Sequence, residues 1–181
     1  MERIAASGRA LRRFFDGLVQ QAFFGQLGLA DVNLADYLSG LLCRFVRVDA
    51  IFGVRDMEGR RLEEVAEMLA EASEPHADEQ RGRAIHKHIG DFVLFWTGLY
   101  PEFLRRLRSP DRKDHLIDYL ARGRESYYIA STFDREPFRR EAQTLRRLSE
   151  ELELCVFGMS LVRREWESLA PASYRTFRRR W

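Results

Sequence analysis

The sequence predicts an all-α, single-domain bundle of about six helices around a central apolar helix, residues 81–100. Apolar residues recur every three or four positions almost throughout the chain, which is the spacing of a helix with one buried face. Between residues 89 and 100 only Asp91 and Thr97 are neither apolar, aromatic nor glycine, so every face of this helix needs cover from its neighbours. A length of 181 residues with 45% hydrophobic residues suits one packed domain.

Two helices are predicted before residue 50. Residues 2–27 place a broad apolar face on the first helix, which ends where glycines interrupt the pattern. Asp31 or Asn33 can then cap a second helix that extends to about residue 48. The end of this segment, residues 44–56, also alternates apolar and polar residues as a β-strand does. A short extended piece or hairpin is therefore expected near residues 50–60.

The rest of the chain predicts the central helix and three others. Residues 61–72 form a short amphipathic helix, and after the central helix Pro101 either starts a new turn or kinks the old one. A further helix is predicted over residues 112–132. The last helix, residues 136–169, has apolar residues at steps of three and four along its whole length, which predicts a rod of about 50 Å.

Composition narrows the class of protein. The chain has 30 basic and 28 acidic residues, which is not the balance of a nucleic-acid-binding protein. No apolar run approaches the roughly 20 residues of a membrane span, and the N-terminus lacks the apolar core of a secretory signal. Cys43 and Cys155 lie among apolar neighbours, which indicates buried thiols. We therefore expect a cytoplasmic protein of bacterial type.

Sequence signatures of catalysis, cofactor binding and metal binding are missing. There is no Gly-x-Ser-x-Gly, no glycine-rich phosphate loop and no His-Glu-x-x-His. His86 and His88 lie two positions apart, so on a helix they point in nearly opposite directions and cannot chelate one metal ion. These observations favour a protein without enzymatic activity, cofactor or metal.

Asp91 is the first candidate functional residue, because it is a lone acid in the most apolar helix. An unpaired buried carboxylate is costly, so Asp91 either has a hydrogen-bonding partner or faces a ligand. Partners are expected from the facing helix: Arg122, Arg124, Tyr127 and Tyr128. If Asp91 instead faces a ligand, the pocket is expected to be lined by four residues: Asp91, His88, Trp96 and Tyr127.

Residues 171–181 form a basic, aromatic tail that we separate from the 1–170 bundle domain. The tail has four arginines and no acid, which leaves a net charge of −2 on the rest of the chain. The residues expected to bind a partner are Tyr174, Arg175, Phe177, Arg178, Arg179, Arg180 and Trp181. Arginine mixed with aromatic residues suits a groove on a protein partner or on a second copy of the chain. Nucleic acid and an anionic membrane are the less favoured alternatives.

The sequence HIGDFVLFWTGLYPE, residues 88–102, followed by DYLARGRESYYIAS at 118–131, resembles an uncharacterised family of bacterial all-helical proteins. Their pattern is Gly-Asp-x-x-Leu-Phe-x-x-Gly-x-x-Pro-Glu before a helix that ends in a tyrosine-rich turn. The resemblance covers roughly residues 30–131. It implies an all-helical fold and no known activity, and it implies a shared role for four residues: Gly90, Asp91, Pro101 and Glu102.

The sequence as a whole favours a non-enzymatic helical module for protein–protein interaction or regulation that self-associates through its last helix and its tail. One alternative is a small-molecule binding or sensing domain with a pocket beside Asp91. Another is a nucleic-acid accessory protein that uses the arginine-rich tail. An arginine paired with Asp91 and no cavity beside it would favour a structural role for that acid, and a cavity with an unpaired acid would favour a ligand.

Overall fold

The computed structural model describes residues 2–46, 48–74 and 78–169, with side chains from Gly8 onward except that of Val48. These residues form a bundle of α-helices, which confirms the predicted all-α fold. Within the described ranges the sole β-pairing is one antiparallel bridge between Arg55 and Arg61. No helix in those ranges has the length and apolar character needed to cross a membrane.

The helices follow one another along the chain, joined by turns and loops. Helix α1 spans Glu2–Gln20 and continues as a π-helical segment, Gln21–Gln26. A 3-10 turn, Lys113–Leu116, lies between the sixth and seventh helices. The other α-helices are α2 (Val32–Phe45), α3 (Val48–Ile51), α4 (Val65–Ala72), α5 (Glu79–Leu99), α6 (Pro101–Leu107), α7 (Tyr119–Ser131), α8 (Arg139–Glu150) and α9 (Leu152–Leu169).

Aspartates mark the starts of three helices. The Asp31 carboxylate accepts from the backbone N–H of Leu34 at 3.0 Å, as expected for the cap of α2. Asp78 and Asp118 accept in the same way at the starts of α5 and α7. Pro101 occupies the first turn of α6, where a missing N–H costs nothing, so α5 ends at Leu99 and a new helix begins.

Helix α5 is the centre of the bundle and packs chiefly on α7, α9 and α4. Its glycines allow the neighbouring helices to approach closely. A β-carbon on Gly90 would lie 2.6 Å from the ring of Tyr127, and one on Gly98 would lie 2.5 Å from the β-carbon of Met159. The expected central helix, covered by its neighbours along most of its length, is therefore present.

The structure divides the predicted last helix into α8 and α9 at Glu151, whose φ and ψ of −115° and 30° are not helical. The apolar seam of that segment is nevertheless buried from Leu145 to Val162. The interruption lets the seam cover two different helices, since α8 packs on α7 whereas α9 packs on α5. Two shorter helices thus replace a single rod.

Asp114 explains why α4 and α7 begin later than the periodicity predicts. Its buried carboxylate accepts from the backbone N–H groups of Val65 and Ala66 at 2.8 Å, which caps α4 from a distant part of the chain. Glu64 accepts in return from the Asp114 N–H at 3.1 Å. This reciprocal cap holds Asp114 in the 3-10 turn, and α7 starts only after it.

The short extended piece predicted near residues 50–60 is a tight turn closed by the Arg55–Arg61 bridge. Asp56 Oδ1 accepts from the backbone N–H groups of Glu58 and Arg60 at 3.0 and 2.8 Å. Gly59 has a φ of +85°, a conformation in which a β-carbon would be strained. The turn therefore belongs to a loop, and the bundle around it stays helical.

Candidate functional site

Asp91 lies buried where α2, α5 and α7 meet, and both of its carboxylate oxygens are hydrogen-bonded. The hydroxyl groups of Tyr37 and Tyr127 donate to Oδ1 at 2.6 and 2.9 Å. The Arg44 guanidinium donates to Oδ2 at 2.8 Å. Burial, followed by the Asp91 charge, holds the pKa of both tyrosines well above its usual value, so they remain donors.

The partners of Asp91 differ in part from those expected. Tyr127 is one of them, as the sequence suggested, but the arginine is Arg44 of α2. Arg122 and Arg124 bind acids on the surface instead, namely Glu125 and Glu153. Tyr128 is exposed and lies under the Arg146 guanidinium. The overlooked signal was the spacing of Tyr37 and Arg44, which are seven residues apart and therefore on one face of α2.

A second charged cluster lies beside this one and joins α5 to α8. Glu141 accepts from Lys87 at 2.5 Å and from Arg83 at 2.6 Å, and Arg83 also lies over the Phe138 ring at 3.9 Å. Burial opposes ionisation of Glu141, but the bonds from both cations outweigh it and lower the pKa of this carboxyl. The arrangement pairs charges between two helices and offers no free acid or base.

His88 also has a structural contact. Its Nε2 lies 2.9 Å from the carbonyl oxygen of Ile51, which makes that nitrogen the donor. Burial lowers the pKa of His88, so the ring is neutral near neutral pH. In the part of the chain that the structure describes, no group of three His, Cys, Asp or Glu residues is arranged to hold a metal ion.

A groove of about 570 Å³ lies beside the C-terminal end of α5 and the helix α6 that follows it. Seven of its twelve lining residues are aromatic, three are aliphatic, and Glu102 and Arg106 carry charge. The lining comprises Phe15, Leu42, Phe45, Val46, Ile51, Phe95, Trp96, Tyr100, Glu102, Phe103, Arg106 and Trp166. We call this site the aromatic groove.

The break between α5 and α6 builds the floor of the aromatic groove. Tyr100 has a φ of −137° and a ψ of 59°, so Pro101 starts α6 in a new direction. As a result Phe103 stacks on Trp96, with ring centroids 3.9 Å apart and an angle of 21° between the planes. Phe95 meets the edge of Trp96 at 5.1 Å. The indole Nε1 of Trp96 is buried and has no hydrogen-bonding partner.

Of the two charged residues that line the aromatic groove, Glu102 has an ion-pair partner and Arg106 has none among the described residues. Glu102 accepts from both terminal nitrogens of Arg163 at 2.9 Å, which ties α6 to α9. Arg163 also donates to the carbonyl oxygen of Leu99 at the end of α5. The side chain of Arg106, in contrast, makes no hydrogen bond or ion pair with a described residue. The groove therefore combines an apolar floor with one available cation.

No protein-family model, curated protein or solved structure significantly matches this chain. Its function is therefore inferred from the geometry of the sites. The membership of a bacterial helical family that the motif suggests stays a prediction.

The four motif residues nevertheless have defined contacts. Gly90 makes room for Tyr127, Asp91 accepts three hydrogen bonds, Pro101 starts α6 and Glu102 binds Arg163.

The structure separates the four residues predicted to share a ligand pocket. Trp96 lines the aromatic groove, whereas Asp91, His88 and Tyr127 do not line it. They lie further toward the start of α5 or on α7, in the hydrogen-bonded contacts described above. The tail residues expected to bind a partner, from Tyr174 to Trp181, lie outside the described residues.

Proposed function

We propose that this protein is a non-enzymatic binding domain that holds a small apolar molecule in the aromatic groove. The observation that supports the proposal is the groove itself, whose volume of about 570 Å³ and aromatic lining match the usual ligand pocket of roughly 300–1,000 Å³. The proposed pocket still lies beside α5, but it is about one helical turn beyond Asp91, at Phe95 and Trp96.

The groups in the groove favour binding over catalysis. Its titratable side chains are Tyr100, Glu102 and Arg106. Glu102 is bound in bidentate fashion by Arg163, so it is poorly suited to accept a proton from a substrate. An apolar ligand would bind because it leaves water and packs against the seven aromatic rings. Such binding does not require Tyr100, Glu102 or Arg106 to react.

Direct binding of a neutral apolar probe tests this proposal. Trp96 and Trp166 both line the groove, so their fluorescence should change when dodecanol binds. Val46 lines the groove and is 49% exposed, so Val46→Glu should introduce a charge there without disrupting the core. We expect this variant to bind dodecanol at least about tenfold more weakly, because a carboxylate in an apolar site loses its hydration.

Val32→Glu is the matched control, because Val32 begins α2, whose C-cap is Val46, is 72% exposed and does not line the groove. It should bind dodecanol as the unmodified protein does. If dodecanol fails to bind, or if the two variants bind it equally well, the groove is not the binding site and the proposal is wrong.

A second candidate function is self-association, which α9 supports. Leu154 and Phe157 lie three residues apart on one face of α9 and are 40% and 52% exposed. Two copies of the chain could cover each other's apolar residues there. Phe157→Glu should then shift a dimer to monomer in analytical ultracentrifugation, whereas Leu116→Glu, on another exposed surface, should not. A monomeric parent protein, or a dimer that survives Phe157→Glu, would contradict this candidate.

We also propose that the protein works in the bacterial cytoplasm. Cys43 and Cys155 are both free thiols, which is the usual state in a reducing compartment. Burial raises the pKa of Cys155 to about 12, so this thiol is unreactive.

A further inference from the structure

The short helix α6 and its C-cap residue, Arg108, carry arginines that lack counter-charges. Arg105, Arg106 and Arg108 make no ion pair or hydrogen bond through their side chains with the described residues. Arg106 lines the aromatic groove, while Arg105 and Arg108 line a separate cavity of about 480 Å³ on the other side of α6. Arg106 is therefore the cation of this helix that a ligand in the groove can reach.

The position of Arg106 relative to the floor follows from helix geometry. Phe103 and Arg106 are three residues apart and share a face of α6. Phe103 stacks on Trp96, and Arg106 lines the groove beside this pair of rings. Glu102 also lines the groove, but Arg163 binds both of its oxygens and also binds Glu167. The acid beside Arg106 thus already has a bound cation.

The geometry points to a free anionic amphiphile as the ligand: an apolar chain or ring system against the aromatic floor, with a carboxylate or sulfate bound by Arg106. This inference rests on the proposed function and names the class of ligand for the same groove. Arginine presents two parallel N–H donors that match the two oxygens of such a head group. The aromatic rings that line the groove would contact the apolar part of the ligand.

A dissolved ligand fits the site better than a lipid within a membrane. The groove is concave, and its lining comes from residues as distant in the chain as Phe15 and Trp166, whose rings meet edge to face at 5.5 Å. Membrane-surface helices instead present a continuous apolar face that enters the bilayer. A groove of this volume can hold most of one small molecule.

The test compares three probes with the same chain and different heads, each below its micelle concentration: dodecanoate, dodecanol and dodecylammonium. Affinities for the full-length protein are measured by isothermal titration calorimetry. We expect dodecanoate to bind about fivefold more tightly than dodecanol, the gain typical of a partly exposed ion pair. Dodecylammonium should bind most weakly, and added salt should reduce the preference for dodecanoate.

Two variants locate the charge that matters. Arg106→Gln should lower the affinity for dodecanoate to that for dodecanol. Arg108→Gln, which removes the same charge two residues further along the chain but outside the groove, should retain most of the preference. Loss of the preference in the Arg108 variant alone would overturn the assignment to Arg106.

The outcomes separate this inference from the proposed function. Equal affinity for dodecanoate and dodecanol would overturn the anionic ligand but leave the apolar groove intact. Failure of all three probes to bind would overturn both. Vesicles of anionic phospholipid provide the last arm: if the protein binds them through Arg106 and ignores monomeric dodecanoate, a membrane is the source of the anion and the inference is wrong.

Discussion

The hydroxyl of Tyr127 offers the sharpest test of how the centre of the bundle is held together. This side chain is completely buried and donates to Asp91 Oδ1 at 2.9 Å. Tyr127→Phe removes the oxygen alone and keeps the ring that packs on Gly90. Its effect on stability therefore reports the hydrogen bond rather than a change in packing.

The loss of stability expected for Tyr127→Phe follows from the charge of the acceptor, the Asp91 carboxylate. A hydrogen bond to a charged group contributes about 1.5–3 kcal/mol. Tyr37 and Arg44 remain bound to Asp91 in the variant, so the loss should lie in the lower half of that range, near 2 kcal/mol. In an Asp91→Asn background the acceptor is neutral, and the same substitution should cost only about 1 kcal/mol.

Urea unfolding of the parent protein, both single variants and the double variant gives the coupling between the two residues. We expect a coupling of about 1 kcal/mol between Tyr127 and Asp91. Tyr128→Phe is the matched control, because the neighbouring tyrosine is exposed and does not bind Asp91; it should cost less than about 0.5 kcal/mol. A coupling within about 0.3–0.5 kcal/mol of zero, the scatter of independent sites, would refute the role given to this hydrogen bond.

Two further predictions concern the charged cluster and the helix contact beside it. The pKa of Glu141 is lowered in the folded state, so its contribution to stability is present above the unfolded pKa of about 4.5 and is lost as pH falls through the folded value. Glu141→Gln should therefore destabilise the protein by about 1 kcal/mol in urea unfolding near pH 7, and the difference should shrink in acid; a difference that grows in acid would contradict this. Gly90→Ala should cost about 1–3 kcal/mol in thermal unfolding, because its β-carbon would overlap the Tyr127 ring. Gly17→Ala, at an open position on α1, should instead stabilise the protein by about 1 kcal/mol, and equal effects of the two substitutions would rule out the steric explanation.

Local signals in the sequence were sufficient for most of the helices. Asp31 and Pro101 act through residues within one helical turn, so the starts of α2 and α6 could be read from their neighbours. The buried character of α5 follows from its own composition, since an apolar helix requires cover whichever helices provide it. The expectation that Asp91 needs a polar partner has the same origin.

Contacts between distant residues were decided by the tertiary structure. Asp114 caps α4 from 49 residues away at Val65, and Arg44 reaches Asp91 across 47 residues. No periodicity encodes either pairing, because the pattern of a helix defines which face is buried but not which helix covers it.

The candidate site likewise has features that the local sequence determines and features that only the packing of the helices determines. The sequence by itself determined an all-helical chain with an aromatic, largely buried central helix, because these properties depend on residues three and four positions apart. The aromatic groove depends on six helices that bring residues such as Phe15, Phe45, Phe103 and Trp166 to one place. Only the packing of those helices decides whether their aromatic faces meet in a closed core or leave a groove with Arg106 at its edge.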